Sequence, residues 1–523
     1  MTPAIFSNSL GSHIRSKISV QEKAVRGLTL GTALFAAVLL ALILLTYAFP
    51  ADTRGDVWGV NADSVRSFQS HLGLNRMPRV SPDSFSLAFR CLLVTLWTAY
   101  ALVIASLMQG GSIPIKPAIT VIAAAGLVIS FCFPPLLSQD VYANISHGRI
   151  AVFYGLNPYL QGPSILEQVR DPITRYLTWN MPTIYGPVWT QLEIGVVRSM
   201  RTDSVWSQVV VMKLIQGAAL LIMALAGRRL ALRFHPERGN VTLLAIGLNP
   251  LLLLEGPGSG HNDMLLVAFL LVAAVLYLEK KYLFAALCLG LSFGIKPITL
   301  AIIPWIIMDY WRQERIDGQP WQNIIKKVTI GCLATALPSL ICFSTLWAGP
   351  NTFLAAQDRA LYGISSSEIL KDYQIQIWLR SHGLGPGLIS LVCTLFRGRT
   401  VLVIYAALTV WLWRRPAPGK WLSAWAIFST SLMFFLLSPS FPWYITWFWP
   451  ICLLRWDKKF LALSALCGGL SLLWMSNYGM VSEVKKNTPH AWITLQKTAK
   501  GGVTILRTIN LMTDKRESVH ASH

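Results

Sequence analysis

Long apolar runs recur along nearly the whole chain, and no other feature limits the possible folds so strongly. They fall at roughly 27–49, 86–108, 115–133, 205–227, 240–254, 262–278, 282–295, 298–311, 323–347, 400–413, 421–438, 443–454 and 459–475. Runs of this kind point to helices that cross a bilayer, where every backbone polar group must be satisfied within the segment. The expected fold is therefore all-α, a polytopic integral membrane helical bundle of about thirteen transmembrane helices. Several runs are short and need tilt, local thinning or burial inside the bundle. Only 13% of the 523 residues are charged, where a soluble protein of this size has about a quarter.

The net charge of +21 invites a nucleic-acid reading, but the placement of the charges answers it. Lys and Arg cluster in short loops between apolar runs, as the positive-inside rule requires, so no nucleic acid is expected as a partner. A basic leader, residues 1–26 with Arg15, Lys17, Lys23 and Arg26, puts the amino terminus in the cytoplasm ahead of an uncleaved first anchor. The membrane region is then 27–475, followed by a polar tail at 476–523. The location implied is the plasma membrane, crossed many times.

Alternation places residues 134–204 outside as one large loop. Within it, Pro187–Val197 contains Glu193 and reads as an amphipathic juxtamembrane helix lying along the outer surface. The loops 254–262, 348–384 and 438–444 are external by the same rule. The basic stretches 228–238, 279–281, 312–327 and 414–420 are internal. Segment 385–396 is either a short span or a re-entrant helix. Trp residues gather at run ends (Trp305, Trp311, Trp347, Trp413, Trp443, Trp447, Trp449), where interfacial belts form. The eight Cys lie inside apolar runs, which argues against a disulfide framework and structural zinc.

Five polar motifs fall on the external side of this topology. SQDVYANISHGRIAVFYGLNPY (138–159) carries Asp140 at the mouth of a span, with Tyr142, Arg149, Asn157 and Tyr159 behind it. MPTIYGP (181–187) carries Tyr185. GSGHND (258–263) carries His261, Asn262 and Asp263. Lys296-Pro297 separates two short apolar runs, and SPSFPWY (438–444) carries Trp443 and Tyr444. Gathering on one face suggests a single outward cleft. Each motif also has a purely structural explanation. Asp140 can cap a helix after Pro134-Pro135, and Asn262 or Asp263 can cap the next span. Lys296 and Lys213 can snorkel to an interface. Trp443 and Tyr444 can sit in the belt or stack on a sugar. An ionisable group between apolar runs is nevertheless a functional candidate.

These segments, together with IYGPVW, NPLLLLEGPGSGHNDMLL, LGLSFGIKPITLAIIPW and SPSFPWYITWFWP, resemble the bacterial membrane glycosyltransferases of the GT-C class. The nearest likeness is to the polyprenyl-phosphate-mannose-dependent alpha-(1->6)-mannosyltransferases that build lipoglycan cores, and it runs from about Ile115 to Leu453. The resemblance implies an inverting hexosyl transfer from a polyprenyl-phosphate sugar to a glycan or glycolipid acceptor, in contact with membrane lipids. It implies Asp140 as catalytic base, Asp263 as a second acidic position, and Lys296 near the lipid phosphate. Arg149 is a further candidate for that phosphate, and the remaining motif residues are candidates for substrate contact. No DxD motif is present, in keeping with a donor that needs no metal or other cofactor. Two extra spans precede the Asp140 loop here, a departure from the family's order.

Two other function classes stay open. A lipid-linked glycan transporter or flippase would line a path through mid-membrane with charge and show internal symmetry. An O-antigen-type polymerase or ligase would use a late loop rich in Arg and His, for which 348–384 offers Arg359, Arg380 and His382.

Overall fold

The computed structural model describes residues 4–47, 82–131, 137–138, 140–177, 181–200, 204–353, 379–381, 383–395, 398–436, 442–455, 462 and 464–469. Pro134-Pro135, Arg359, His382, the start of the 438–444 motif, nearly all of run 459–475 and the 476–523 tail lie outside them. No strand occurs among the described residues, which form helices joined by short turns and a single bridge between Ala348 and Pro350.

The helices in chain order begin with α1 (Ala4–Tyr47), α2 (Pro82–Met108), α3 (Ile115–Ser130), α4 (Asp140–Tyr154) and α5 (Pro187–Met200). Next come α6 (Val205–Phe234), α7 (Gly239–Gly247), α8 (Asp263–Leu278), α9 (Tyr282–Ile295), α10 (Ile303–Ile316) and α11 (Trp321–Phe343). The last are α12 (Pro386–Leu395), α13 (Gly398–Arg414), α14 (Trp421–Ser431) and α15 (Trp449–Arg455). Helix α6 has 30 residues, about 45 Å at the helical rise. It is the axis of the bundle, touching α3, α7, α8 and α15. Helices α1 and α2 pair with each other, and α9 sits between α8 and α11. Helix α11 turns Leu333, Leu337, Leu340 and Ile341 outward, as a helix in contact with acyl chains does.

Four helices among the described residues are long and apolar enough to cross a membrane: Glu22–Thr46, Leu87–Met108, Val205–Phe234 and Trp321–Phe343. A fifth arises if Pro236–Gly247 and Pro250–Gly258, bent by 44° at their junction, count as one span. Shorter apolar helices occupy Ile115–Ser130, Asp263–Leu278, Tyr282–Ile295 and Trp421–Phe434.

Three runs that read as single helices are composite. Run 240–254 breaks where Asn249 accepts hydrogen bonds from the amides of Leu251 and Leu252, starting a new turn at Pro250. That turn passes into a π-turn, Leu254–Gly258. Run 298–311 opens as a 3-10 helix, Pro297–Ile302. Run 443–454 begins as another, Pro442–Trp447. At Pro250 and Pro297 the proline removes a helical N–H and its predecessor, Asn249 or Lys296, is extended.

Two local expectations change. Helix α5 covers the segment that reads as surface-lying, yet it packs against α4, α9, α11 and α6. Glu193, the residue that suggested exposure, is buried beside His147 at 3.7 Å. The tryptophans at run ends also divide. Trp347 and Trp413 are exposed, whereas Trp305, Trp443, Trp447 and Trp449 are buried. Trp305 donates to Thr409 and Trp449 stacks on Trp97, so these rings serve the interior.

Loops that the charge rule puts on one face do meet. Arg229 pairs with Glu279 at 3.0 Å, Lys280 with Asp317 at 3.7 Å and Lys327 with Glu314 at 2.6 Å, and Arg312 donates to the carbonyls of Leu412 and Trp413.

Candidate active site

The motifs assigned to the other face converge at the opposite ends of these helices. Two backbone locks hold them together. The amide of Leu137 donates to Ser259 Oγ, whose hydroxyl donates to the carbonyl of Leu254, tying the approach to α4 onto the Gly-Pro-Gly-Ser-Gly turn. Gly260, at φ +81°, turns the chain there, and a Cβ on it would stand 2.9 Å from Val141. The second lock joins Gly186 to the end of α9, where the Gly186 amide donates to Ile295 O at 3.0 Å. A Cβ on Gly186 would lie 2.2 Å from Gly294 O, so only glycine permits this approach. These locks bring Asp140, Tyr185, His261 and Lys296 from four separate stretches into one neighbourhood.

Asp140 opens α4 rather than capping it. Its amide donates to Ser138 Oγ at 3.2 Å, and its carboxylate remains 27% exposed, 3.7 Å from His261 Nδ1. His261 is buried and stacked on Trp443, ring centroids 4.0 Å apart. Its Nε2 lies 3.4 Å from Glu255 Oε2, close but not aligned as a hydrogen bond. Burial pushes the His261 imidazole below its ordinary value, with Lys296 acting in the same direction and Asp140 and Asp263 against it. The imidazole is thereby kept neutral at neutral pH.

Asp263 occupies the first turn of α8, and Asn262 makes no side-chain cap there. The Asp263 carboxylate instead receives Lys296 Nζ at 2.8 Å and the indole N–H of Trp447. Lys296 is 19% exposed. It faces the rings of Tyr185, Tyr444 and Trp447 at 5.5–5.8 Å, a cation held among aromatic faces. Burial first, then the nearby Asp140 and Asp263 charges, hold the Tyr185 phenol well above its ordinary range. Tyr185 is thus a neutral donor in this cleft. Lys296 does not snorkel away, and neither does Lys213, which is completely buried beside the Gly260 turn.

The other candidates have structural work. Arg149 is buried, with Nε 2.8 Å from Asp171 and an Nη donating to Gln208 at 3.2 Å. Asp171 also accepts from Tyr154 and from the Ile173 amide. This network clamps the loop around Asp171 to α4 and α6. Tyr142 stacks on Tyr176, centroids 5.0 Å apart. Asn157 donates to Leu346 O and accepts from the Tyr159 amide, and Tyr159 donates to Tyr185 O. Asn262 is buried, and its side-chain N–H groups have no partner among the described residues. Arg380 lies in a short helical turn whose Leu379 packs on Ile389 of α12.

Sequence reading missed Glu255 and Trp447. Glu255 could have been found, because an acid inside the run LLLLEGPG is costly in a membrane and marks a function. Trp447 is one tryptophan among many, and only the fold selects it. No group of His, Cys, Asp and Glu suited to a metal occurs among the described residues.

Comparison with known proteins bears on this cleft. Residues 58–312 match a family model described as alpha-(1->6)-mannopyranosyltransferase, N-terminal domain, and residues 204–439 match glycosyltransferase family 87. The chain is thus similar to these glycosyltransferase families over residues 58–439. It is 24% identical over 351 residues to alpha-(1->6)-mannopyranosyltransferase A of Mycobacterium tuberculosis, covering 63% of each chain. It is 23% identical over 231 residues to alpha-(1->6)-mannopyranosyltransferase A of Corynebacterium glutamicum, covering 41% of this chain and 45% of that one. To the B enzyme of that organism it is 30% identical over 151 residues, covering 28% of this chain and 24% of the other. The matched region therefore spans less than two thirds of the length of these relatives. No solved structure matches the chain. The two family matches overlap across α6 to α10, the stretch that carries Glu255, His261, Asp263 and Lys296.

Proposed function

We propose that the protein transfers a mannosyl residue from a polyprenyl-phosphate donor to a glycan or glycolipid acceptor, with inversion at the anomeric carbon. Asp140 is the general base, and the site opens on the outer face of the plasma membrane, with the amino terminus inside and about thirteen spans. The relatives named above are mannosyltransferases, which supports the sugar.

One observation carries the mechanism. Three carboxylates gather at the cleft, and only Asp140 is open to solvent, Glu255 and Asp263 being completely buried. Asp263 is committed to Lys296 and Trp447, and Glu255 stands behind His261. One accessible carboxylate suits a single in-line displacement, whereas a retaining route wants two opposed across the sugar. Asp140 takes the proton of the attacking hydroxyl, an effect of about 10²- to 10⁴-fold. Charge builds on the departing lipid phosphate, and Lys296 is the cation at the cleft mouth able to meet it. Its aromatic surround offers flat faces for the apolar side of a sugar ring.

The test is transfer by purified protein from a panel of polyprenyl-phosphate sugars to a mannoside acceptor, with product linkage read by NMR. Asp140→Asn should fold and lose transfer by at least about 10²-fold. Transfer at the wild-type rate would remove Asp140 as base, and a preference for another sugar would remove mannose.

A further inference from the structure

Glu255 is a fully buried carboxylate whose two oxygens have no hydrogen-bond partner among the described residues. An unpartnered buried carboxylate is costly and calls for an explanation. The nearest group is His261 Nε2 at 3.4 Å, itself buried and unpaired. On the far side of the same ring, Nδ1 looks toward Asp140 Oδ2 at 3.7 Å. The three groups run from the partly exposed Asp140 to the buried His261 and Glu255. The π-turn supplies Glu255, and the backbone bond from the His261 amide to Glu255 O at 3.2 Å fixes the spacing between them. Trp443 stacks on the ring and sets its plane. Packing alone has no use for two orphaned polar groups aimed at each other.

We propose that His261 receives the proton that Asp140 removes from the acceptor, and that Glu255 is the positioning residue that fixes the imidazole for it. This rests on the assignment of Asp140 as base. The acceptor O–H bond breaks and its proton goes to Asp140 Oδ2. The oxygen lone pair forms the bond to the anomeric carbon, and the bond from that carbon to the phosphate oxygen breaks, its electron pair leaving with the lipid phosphate. The proton then passes from Asp140 to His261 Nδ1. This step requires the resting imidazole to carry its hydrogen on Nε2, toward Glu255, and the imidazolium formed then lies between Asp140 and Glu255. Water later removes the proton through the cleft, restoring the imidazole.

A lone carboxylate is a weak base for a sugar hydroxyl, and coupling it to an imidazole raises its proton affinity as charge develops. The titratable groups around His261 are Asp140 from α4, Glu255 from the π-turn, Asp263 from α8 and Lys296 from the turn after α9. Lys213 of α6 lies behind the Gly260 turn. Burial and the Lys296 charge oppose its protonated state, while Asp140 and Asp263 favour it, so the imidazolium is transient.

The experiment compares His261→Gln, Glu255→Gln and Asp140→Asn by kcat, donor KM and the pH profile of transfer, in purified full-length protein. His261→Gln should lower kcat by about 10²-fold with donor KM unchanged. The acid limb of its profile should move to lower pH, because the imidazole no longer titrates there. Glu255→Gln, nearly isosteric, should lower kcat less while keeping KM. Wild-type kcat and an unmoved acid limb in both variants would overturn the relay, as would a change confined to KM. If His261→Gln fails to accumulate, Glu255→Gln decides alone. Loss of transfer in Asp140→Asn beside normal His261 and Glu255 variants would sink only the relay, whereas an active Asp140→Asn would sink the base assignment too.

Discussion

Gly186→Ala tests whether the cleft depends on the contact between the 181–187 loop and the end of α9. The new Cβ would stand 2.2 Å from Gly294 O and 2.6 Å from Gly294 C, both backbone atoms that cannot rotate aside. Ordinary contact begins near 3.4 Å, so the two segments must part by 3.4 − 2.2 = 1.2 Å. That stretches the 3.0 Å bond from Gly186 N to Ile295 O, costing about 1 kcal/mol, with overpacking of about 1–3 kcal/mol more. The larger effect is on geometry. Tyr185 adjoins Gly186 and Lys296 adjoins Ile295, so their separation opens by a similar amount. A shift of about 1 Å in a positioned group can lower turnover about 10²-fold. The assay is transfer from polyprenyl-phosphate-mannose by purified protein, beside a thermal denaturation curve in detergent. Gly294→Ala is the comparison, since its Cβ meets the side-chain atoms of Val188 and Ser339 rather than backbone, and its loss should be smaller. Wild-type kcat for Gly186→Ala, or a greater loss for Gly294→Ala, would refute the reasoning.

Lys296→Met should lower kcat by about 10²-fold and also destabilise, because it leaves Asp263 buried without its cation. Adding Asp263→Asn should restore thermal stability but not transfer. Arg149→Met should act on stability, by about 3–5 kcal/mol for a buried Asp171 left without its cation, while the fraction that folds keeps its turnover; denaturation and active-site titration separate the two. The His261 value in the folded protein lies below the ordinary 6.5, so between these values the unfolded chain binds the extra proton. Its contribution to stability is full above about pH 6.5 and is lost as pH falls through the depressed value. Thermal midpoints followed from pH 7 to pH 5 should fall less in His261→Gln than in wild type.

The all-helical character was legible because apolar runs and a scarcity of charge leave a chain few other options. The set of motifs that meet was legible too, since the charge of intervening loops assigns each to a side. Individual roles were harder. Arg149 and Asp140 lie in one motif, yet helix α4 turns Arg149 toward Asp171 and Gln208 and leaves Asp140 at the cleft. Nothing in the local spacing distinguishes a cation for a ligand from a cation for a buried acid. Asp171 escaped notice because its value comes from a loop folding back on α4. The helix breaks at Pro250 and Pro297 were visible as prolines, but their consequence, a π-turn and an extended Lys296, depends on tertiary contacts.

The turn Pro442–Trp447 supplies the ring that stacks on His261 and the N–H that reaches Asp263. In chain order it follows every other part of the cleft. During synthesis, Asp140, His261 and Lys296 therefore enter the membrane well before the piece that fixes two of the buried side chains beside them. A nascent chain short of this turn holds the candidate base but lacks a rigid floor beneath it. Under the proposed function, the side chains that fix His261 and Asp263 thus arrive after the candidate base.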